Sequence, residues 1–176
     1  MSEKLPSREQ ALQLLREHQC AIEVINHCKA VTKLALKTAN TLKERGLEID
    51  SELVEVGALL HDIGRSKTHT VHHAVVGAKI AKSAGLPDSV VSIIKRHIGG
   101  GITAGEAEKL GWPEDVYVPI TLEEKIVSYA DKLIENAKRV PIEITIEKLS
   151  KELKSDSAER VRKLYEEITN LIGDDP

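Results

Sequence analysis

The sequence predicts an all-α fold, a single bundle of helices, and three observations lead to this prediction. Phenylalanine is absent and aromatic residues make up only 2% of the chain, which argues against a β-sandwich or barrel. Leu, Ile, Val, Ala, Lys and Glu dominate the composition and favour helices. Apolar residues recur at helical spacing between clear capping signals, and no segment is predicted to be a strand. The 176 residues fit one domain, 1-176.

Capping residues divide the N-terminal part of the chain into three predicted helices. Ser7 opens a Ser-x-x-Gln capping box, so the first helix begins there. A second helix is expected from about residue 21 to residue 45, with Gly46 at its C-terminal cap. Asp50 can cap a third helix, which ends near Asp62 because Gly64 interrupts it.

The remaining helices follow from the same signals. They are expected over 71–84, 87–97, a short helix capped by Thr103 and Glu106, 121–138 with Asp131 inside it, 144–153 and 156–171. The chain between 98 and 119 is otherwise expected to be irregular, because it opens with three consecutive glycines. The last two helices form a C-terminal extension, 142-172. They carry no chemically suggestive group, so we expect them to pack or to form an oligomer contact.

Charge and cysteine content restrict the partners and the compartment. The formal net charge is -3 and no half of the chain is strongly basic, which argues against an extended nucleic acid as partner but leaves a local phosphate site open. Cys20 and Cys28 do not form a CxxC pair and are expected to be reduced, half-buried thiols. No apolar run approaches the ~20 residues that span a bilayer. The N-terminus has no apolar signal core either, so we expect a cytoplasmic protein without membrane contact.

Four polar residues stand where helices are otherwise apolar. His61 and Asp62 directly follow the apolar run 56–60, which places an imidazole and a carboxylate at the edge of the core. Asp131 and His27 are likewise surrounded by apolar neighbours in their helices. A lone core histidine is more often hydrogen-bonded than a ligand, and Asp131 could pair with a lysine. Four such residues on buried helices favour a metal site, because buried charges are usually paired or bound to metal.

The order of these residues resembles the His…His-Asp…Asp signature of the HD-domain metal-dependent phosphohydrolase superfamily. The local sequences HCKAV at His27, ALLHDIG at His61 and Asp62, and YADKL at Asp131 fit the resemblance, which covers about residues 20 to 140. It implies an HD-domain helical bundle, in agreement with the all-α prediction made from helix signals.

Two further histidines resemble ligands of the six-ligand, two-metal subgroup, to which bacterial dinucleoside tetraphosphate hydrolases belong. His73 is followed by Gly77 and Ala81 at steps of four, a small face that lets its helix approach a neighbour closely. His97 precedes the three glycines, and His72 is the rival to His73. The resemblance implies His27, His61, Asp62, His73, His97 and Asp131 as ligands, with Asp62 bridging two ions.

Such a ligand set predicts hydrolysis of a phosphate ester. Imidazoles and carboxylates suit two divalent ions of Fe, Mn, Co, Ni or Zn. Two divalent ions outweigh the two aspartates, so the site attracts a small phosphorylated, nucleotide-like substrate. Arg65 and Lys67, which follow the His-Asp pair, are candidate catalytic cations beside Asp62.

Three alternatives to a two-metal phosphohydrolase or phosphodiesterase remain open on the sequence. A one-metal nucleotidase would use only His27, His61, Asp62 and Asp131. A mixed-valent di-iron oxygenase has the same ligand pattern. A non-catalytic regulatory module would typically have lost ligands that are intact in this chain. The substrate, the metal and a homo-oligomeric state are not fixed by the sequence.

Overall fold

The computed structural model describes residues 4–152 and 156–173 as packed helices with one small hairpin. The helices are α1 (Arg8–Glu17), α2 (Ile22–Glu44), α3 (Ser51–Leu60), α4 (His73–Ser83), α5 (Asp88–Lys95), α6 (Ala104–Lys109), α7 (Leu122–Lys132), α8 (Ile142–Glu152) and α9 (Ser157–Ile172). A 3-10 turn (Ile63–Ser66) lies between α3 and α4, and the strands β1 (Ile134–Glu135) and β2 (Lys138–Arg139) follow α7. The all-α prediction is confirmed.

Capping boxes start three helices at the predicted places. Ser7 Oγ accepts a hydrogen bond from the Gln10 amide, while the Gln10 side chain accepts one from the Ser7 amide. Thr103 and Thr121 form the same reciprocal pair with the glutamate three residues later. Each box satisfies backbone N–H groups that the first helical turn leaves without partners, an effect of about 1 kcal/mol per cap.

Helix α2 is central to the core, since it packs against α3, α7 and α9. The C-terminal helices complete this core rather than standing apart from it. Their buried residues in the same apolar cluster are Ile142, Ile146, Val161, Leu164, Ile168 and Ile172. Burying one such side chain stabilises the fold by roughly 1.5–3 kcal/mol. The packing role expected for these helices is thereby supported.

The helix predicted over 121–138 is wrong at its C-terminal end, and so is the expectation that the chain has no strand. Helix α7 ends at Lys132, and the hairpin β1–β2 follows, with Ile134 opposite Arg139. The Lys132 carbonyl accepts a hydrogen bond of 2.6 Å from Thr145 Oγ1, which is distant in sequence. Asn136 then takes a left-handed φ of 56°, which asparagine tolerates better than most residues. A tertiary contact and a turn residue thus end the helix.

Glycines let the 3-10 turn and α4 approach each other closely. A Cβ on Gly64 would lie 2.7 Å from the Gly77 nitrogen and 2.8 Å from the His73 carbonyl carbon. A Cβ on Gly77 would lie 3.1 Å from the Gly64 nitrogen. The small face predicted after His73 is therefore confirmed as a site of close packing, and it holds the start of α4 against the His61-Asp62 segment.

Within residues 4–152 and 156–173, none of the helices combines the length and the apolar character that crossing a bilayer requires.

Candidate metal centre

Six predicted ligands from five parts of the fold converge on one place. The residues are His27 in α2, His61 and Asp62 after α3, His73 at the start of α4, His97 after α5, and Asp131 near the end of α7. His61, Asp62, His73 and His97 are buried, whereas His27 and Asp131 are partly exposed. The chain thus brings together residues that lie a hundred positions apart in sequence.

All four imidazoles are oriented in the same way, by a hydrogen bond to a backbone carbonyl. The acceptors of the Nδ1 atoms are Asn136 O for His27 at 2.7 Å, Ala58 O for His61 at 2.7 Å, Thr70 O for His73 at 2.7 Å, and Ile94 O for His97 at 2.6 Å. A carbonyl only accepts, so each Nδ1 must carry the hydrogen. A ring that is neutral therefore directs its Nε2 lone pair into the cluster, as metal-binding histidines do.

One group of ligand atoms surrounds Asp131 Oδ1. His27 Nε2 lies 2.9 Å from this oxygen, and His61 Nε2 lies 3.3 Å from it. Asp62 Oδ2 completes the group at 3.7 Å from His27 Nε2 and 3.6 Å from His61 Nε2. Two nitrogens and two carboxylate oxygens therefore face one small volume.

A second group uses the other oxygen of Asp62. Asp62 Oδ1 lies 3.1 Å from His73 Nε2 and 3.3 Å from His97 Nε2, and these two nitrogens are 3.0 Å apart. The two oxygens of one carboxylate thus face different pairs of histidines. This is the arrangement in which a carboxylate can bridge two cations.

The donor set fits divalent metal ions. His61 Nε2 is fully buried and makes no hydrogen bond within the described residues 4–152 and 156–173, which is costly for a polar atom unless a ligand compensates it. The Nε2 lone pairs of His73 and His97 face each other at 3.0 Å, and two acceptors repel unless a cation or a proton lies between them. Nitrogen and carboxylate donors of this kind suit first-row transition metals.

The cluster keeps its carboxylates ionised. Burial would raise the pKa of Asp62, but the surrounding imidazoles, His61 first, hold it well below its usual range. Burial likewise opposes ionisation of Asp131, and Lys132 and His61 lower its pKa well below the ordinary value. Burial lowers the pKa of His97 to about 4 and thus favours its neutral form. For His61, the nearby carboxylates outweigh burial and raise the pKa.

Two cations contact the aspartates directly. Arg65 Nε lies 3.0 Å from Asp62 Oδ2, and Arg65 Nη1 donates to the His69 carbonyl. Lys132 Nζ donates to Asp131 Oδ2 at 2.6 Å and to the His97 carbonyl at 2.8 Å. Lys132 is buried, so it ties together the ends of α5 and α7 at the cluster.

A cleft of about 810 Å³ opens onto the cluster. Arg65 and Lys132 line it, whereas Lys67, the other predicted catalytic cation, is exposed and is not among the lining residues. Helix α8 forms part of the wall with Ile144 and Leu149, a contribution that the sequence analysis missed. The sequence feature that could have indicated this role is Ile144, an apolar residue that is exposed, whereas Ile142 and Ile146 of α8 are buried.

His72 and His73, the two candidates for one ligand position, lie in different surroundings. His72 is exposed, and its Nδ1 accepts a hydrogen bond of 2.8 Å from the Trp112 indole. His73 is buried and faces Asp62. Only the second of these neighbouring histidines therefore belongs to the cluster.

Comparisons with known proteins found relatives that match nearly the whole of this chain. The chain is 48% identical to an uncharacterized protein of Methanocaldococcus jannaschii over 93% of its own length and 98% of the relative. It is 42% identical to a tRNA (cytidine(56)-2'-O)-methyltransferase of Thermoplasma volcanium, covering 97% of this chain but only 49% of that protein. The chain thus spans about half the length of this longer relative.

Among solved structures, the fold is similar to the HD domain of the L. monocytogenes phosphodiesterase PgpH in complex with cyclic-di-AMP. The TM-score is 0.57 at 19% identity, and the match covers 92% of this chain and 96% of that one. The family described as HD domain matches residues 24–136, which include all six residues of the cluster. This chain therefore belongs to the HD-domain family.

Proposed function

We propose that this chain is a metal-dependent phosphohydrolase or phosphodiesterase that hydrolyses a phosphate ester of a small, nucleotide-like substrate. The observation that carries the proposal is the convergence of four Nε2 lone pairs and two ionised carboxylates at the bottom of an open cleft. Membership of the HD-domain family and the fold shared with the phosphodiesterase PgpH support the same reaction class.

In this proposal the cluster holds two divalent ions. His27, His61 and Asp131 would hold one of them, His73 and His97 would hold the other, and Asp62 would offer one carboxylate oxygen to each. The spread of the Asp62 oxygens over both histidine pairs supports this assignment. When bound, such ions activate water and stabilise the charge that develops on a reacting phosphoryl group.

The protein's own residues would orient the substrate. Arg65 lines the cleft, is partly exposed and already contacts Asp62, so a phosphate at the cluster would lie within reach of its guanidinium. Lys132 would keep Asp131 Oδ1 directed at the histidines by holding Oδ2. Ile144 and Leu149 form an apolar wall of the cleft, against which the flat face of a nucleobase could pack. Lys67 remains a predicted catalytic residue, but it does not line the cleft.

One observation favours a narrower candidate, in which the phosphate ester belongs to RNA. The relative from Thermoplasma volcanium that contains this domain over 49% of its length is named as a tRNA methyltransferase. A hydrolase domain joined to an RNA-modifying protein is consistent with an RNA-derived substrate.

The test is turnover of a panel of phosphate esters by protein loaded with Mn, Co, Ni, Zn or Fe, including nucleoside monophosphates, cyclic and dinucleotide forms. Asp62→Ala is expected to lose at least ~100-fold in turnover with unchanged helical circular dichroism, because both ions lose a ligand. Asp115→Ala is the matched control, since Asp115 pairs with Lys95 away from the cluster. Undiminished turnover by Asp62→Ala contradicts the proposal. Oxygen uptake by the iron-loaded protein without ester hydrolysis identifies an oxygenase instead.

A further inference from the structure

The loop 98–101 directly follows His97 and forms part of the cleft wall through Ile98 and Gly99. Gly99 and Gly101 take left-handed φ values of 54° and 112°, so the chain turns sharply as soon as it leaves the ligand. The Gly101 amide donates to the Ile98 carbonyl at 2.9 Å and closes this turn. The position of the His97 backbone therefore depends on the contacts of the loop as well as on α5.

Helix α7 gives the loop a first support. Lys132 Nζ donates to the His97 carbonyl at 2.8 Å. Ser128 Oγ donates to the Gly99 carbonyl at 3.1 Å. These two side chains hold the carbonyl groups at the beginning of the loop, so the end of the loop needs a support of its own.

Helix α9 gives the loop a second support, although it lies wholly outside residues 24–136, which match the HD-domain family. A Cβ on Gly100 would lie 2.6 Å from the Arg160 carbonyl oxygen and 2.6 Å from the Val161 nitrogen. A Cβ on Gly99 would meet the Ser157 hydroxyl of the same helix. The backbone of the loop thus lies directly on the backbone of α9, at a distance that only glycine permits.

Arg160 makes this contact specific. Its Nε donates to the Gly101 carbonyl at 3.0 Å, and its Nη2 lies 2.8 and 2.7 Å from the two carboxylate oxygens of Glu106. The donors of a guanidinium group are held in one rigid plane, so the carboxylate that binds Nη2 also directs Nε towards the loop. Arg160 therefore links α9, α6 and the end of the loop that follows His97.

We propose that Arg160 is a positioning residue for the metal centre, because it holds the loop 98–101 against α9 and so keeps His97 beside His73. The inference rests on the proposed function, since it takes these two histidines to hold the second ion. It gives α9 a role beyond packing, although this helix supplies no ligand. It also separates the two ions, because the bonds of Arg160 lead to the histidine pair of the second ion.

The test compares Arg160→Gln with Arg162→Gln, which removes the same charge from an exposed arginine of the same helix. Each protein is titrated with Mn²⁺ against a competing chelator, and the ions bound per chain are measured at each free concentration. Arg160→Gln is expected to weaken the binding of one ion about 10-fold and to leave the other within about 2-fold, whereas Arg162→Gln should change neither. Thermal melting checks that both variants fold.

A second comparison identifies the ion that is weakened. In this proposal His73→Ala has already lost the second ion, so adding Arg160→Gln should change the affinity for the remaining ion by less than about 2-fold. A purely structural role of Arg160 would weaken the remaining ion as well. Weakening of the remaining ion by as much as in the single variant would overturn the inference.

Gly100→Ala tests the same contact without changing Arg160. The new Cβ would meet the backbone of α9, so the loop must move away from the helix and the same ion should be weakened. Gly105→Ala is the matched control, because a Cβ there meets nothing within 4 Å. Undiminished affinity of Gly100→Ala for both ions would overturn the inference.

Hydrogen exchange in EDTA gives a measurement that needs no metal. The Gly101 amide, which closes the loop, should exchange about 10-fold faster in Arg160→Gln than in Arg162→Gln, because the loop opens more often. Equal exchange in the two variants would overturn the inference.

The inference and the proposed function fail in different ways. Wild-type protein that binds two ions and hydrolyses an ester, beside an Arg160→Gln protein that binds both ions equally well, leaves the proposed function intact and refutes this inference alone. Equal weakening by Arg162→Gln has the same meaning. Wild-type protein that binds no ion refutes both.

Discussion

The substitution Gly64→Ala adds a single methyl group where the 3-10 turn meets α4. The new Cβ would lie 2.7 Å from the Gly77 nitrogen and 2.8 Å from the His73 carbonyl carbon, 0.3 and 0.2 Å inside the 3.0 Å that real Cβ contacts respect. Its contact with the His73 carbonyl oxygen would be closer still. These neighbours are backbone atoms, so α4 itself must move. Metal–ligand distances tolerate only about 0.2 Å, so His73 should be lost as a ligand.

The expected result is a metal content that falls from two ions to one per chain, with a destabilisation of about 1–3 kcal/mol from overpacking. Elemental analysis after dialysis measures the first, and denaturant unfolding measures the second. Gly105→Ala is the matched control, because a Cβ there meets nothing within 4 Å and alanine favours the helix. A Gly64→Ala protein with wild-type metal content and stability would show that close packing at Gly64 does not position His73.

Two further predictions concern the rest of the fold. Burial would raise the pKa of Glu106, but hydrogen bonds from Arg160 and from Thr103 outweigh it and lower that pKa. The contribution of Glu106 to stability is therefore present above its ordinary value of 4.5 and lost as the pH falls through the folded value. Glu106→Gln should destabilise the fold by at most about 1 kcal/mol at pH 7, since water screens the partly exposed ion pair with Arg160, and by less in acid. Thermal melts at pH 7 and in acid check this prediction. An equal loss of stability at both pH values would contradict it. Cys20 and Cys28 are free and buried, and burial raises the pKa of Cys20 to about 11. A thiol reagent should therefore modify them only as fast as the protein unfolds. Rapid labelling of the native protein would contradict this expectation.

The sequence was informative about the cluster because its residues break local rules. Asp62 directly follows an apolar helix and Asp131 lies inside one, and a stable core excludes such carboxylates unless something compensates them. Gly77 indicated close packing of α4, which favoured His73 over His72, and His73 does lie beside Asp62 in the structure. Such signals are local, so a sequence can carry them.

Features that depend on contacts distant in sequence were not accessible in the same way. The end of α7 at Lys132 depends on Thr145, and the hairpin that orients His27 depends on the conformation of Asn136. The role of Ile144 in the cleft wall follows from how α8 docks, which no periodicity reveals. The thiols were expected to be half-buried, and both are buried: Cys28 lies on the core side of α2, and Cys20, just before that helix, packs into the same apolar cluster.

We propose that the imidazoles and carboxylates of this bundle bind two divalent ions with Asp62 between them. Anomalous scattering from a crystal of the manganese-loaded protein tests it directly. We expect two peaks, one among His27, His61 and Asp131 and one beside His73 and His97, each in contact with a different oxygen of Asp62. Saturating manganese with no peak at these side chains, or with peaks only elsewhere, would contradict it.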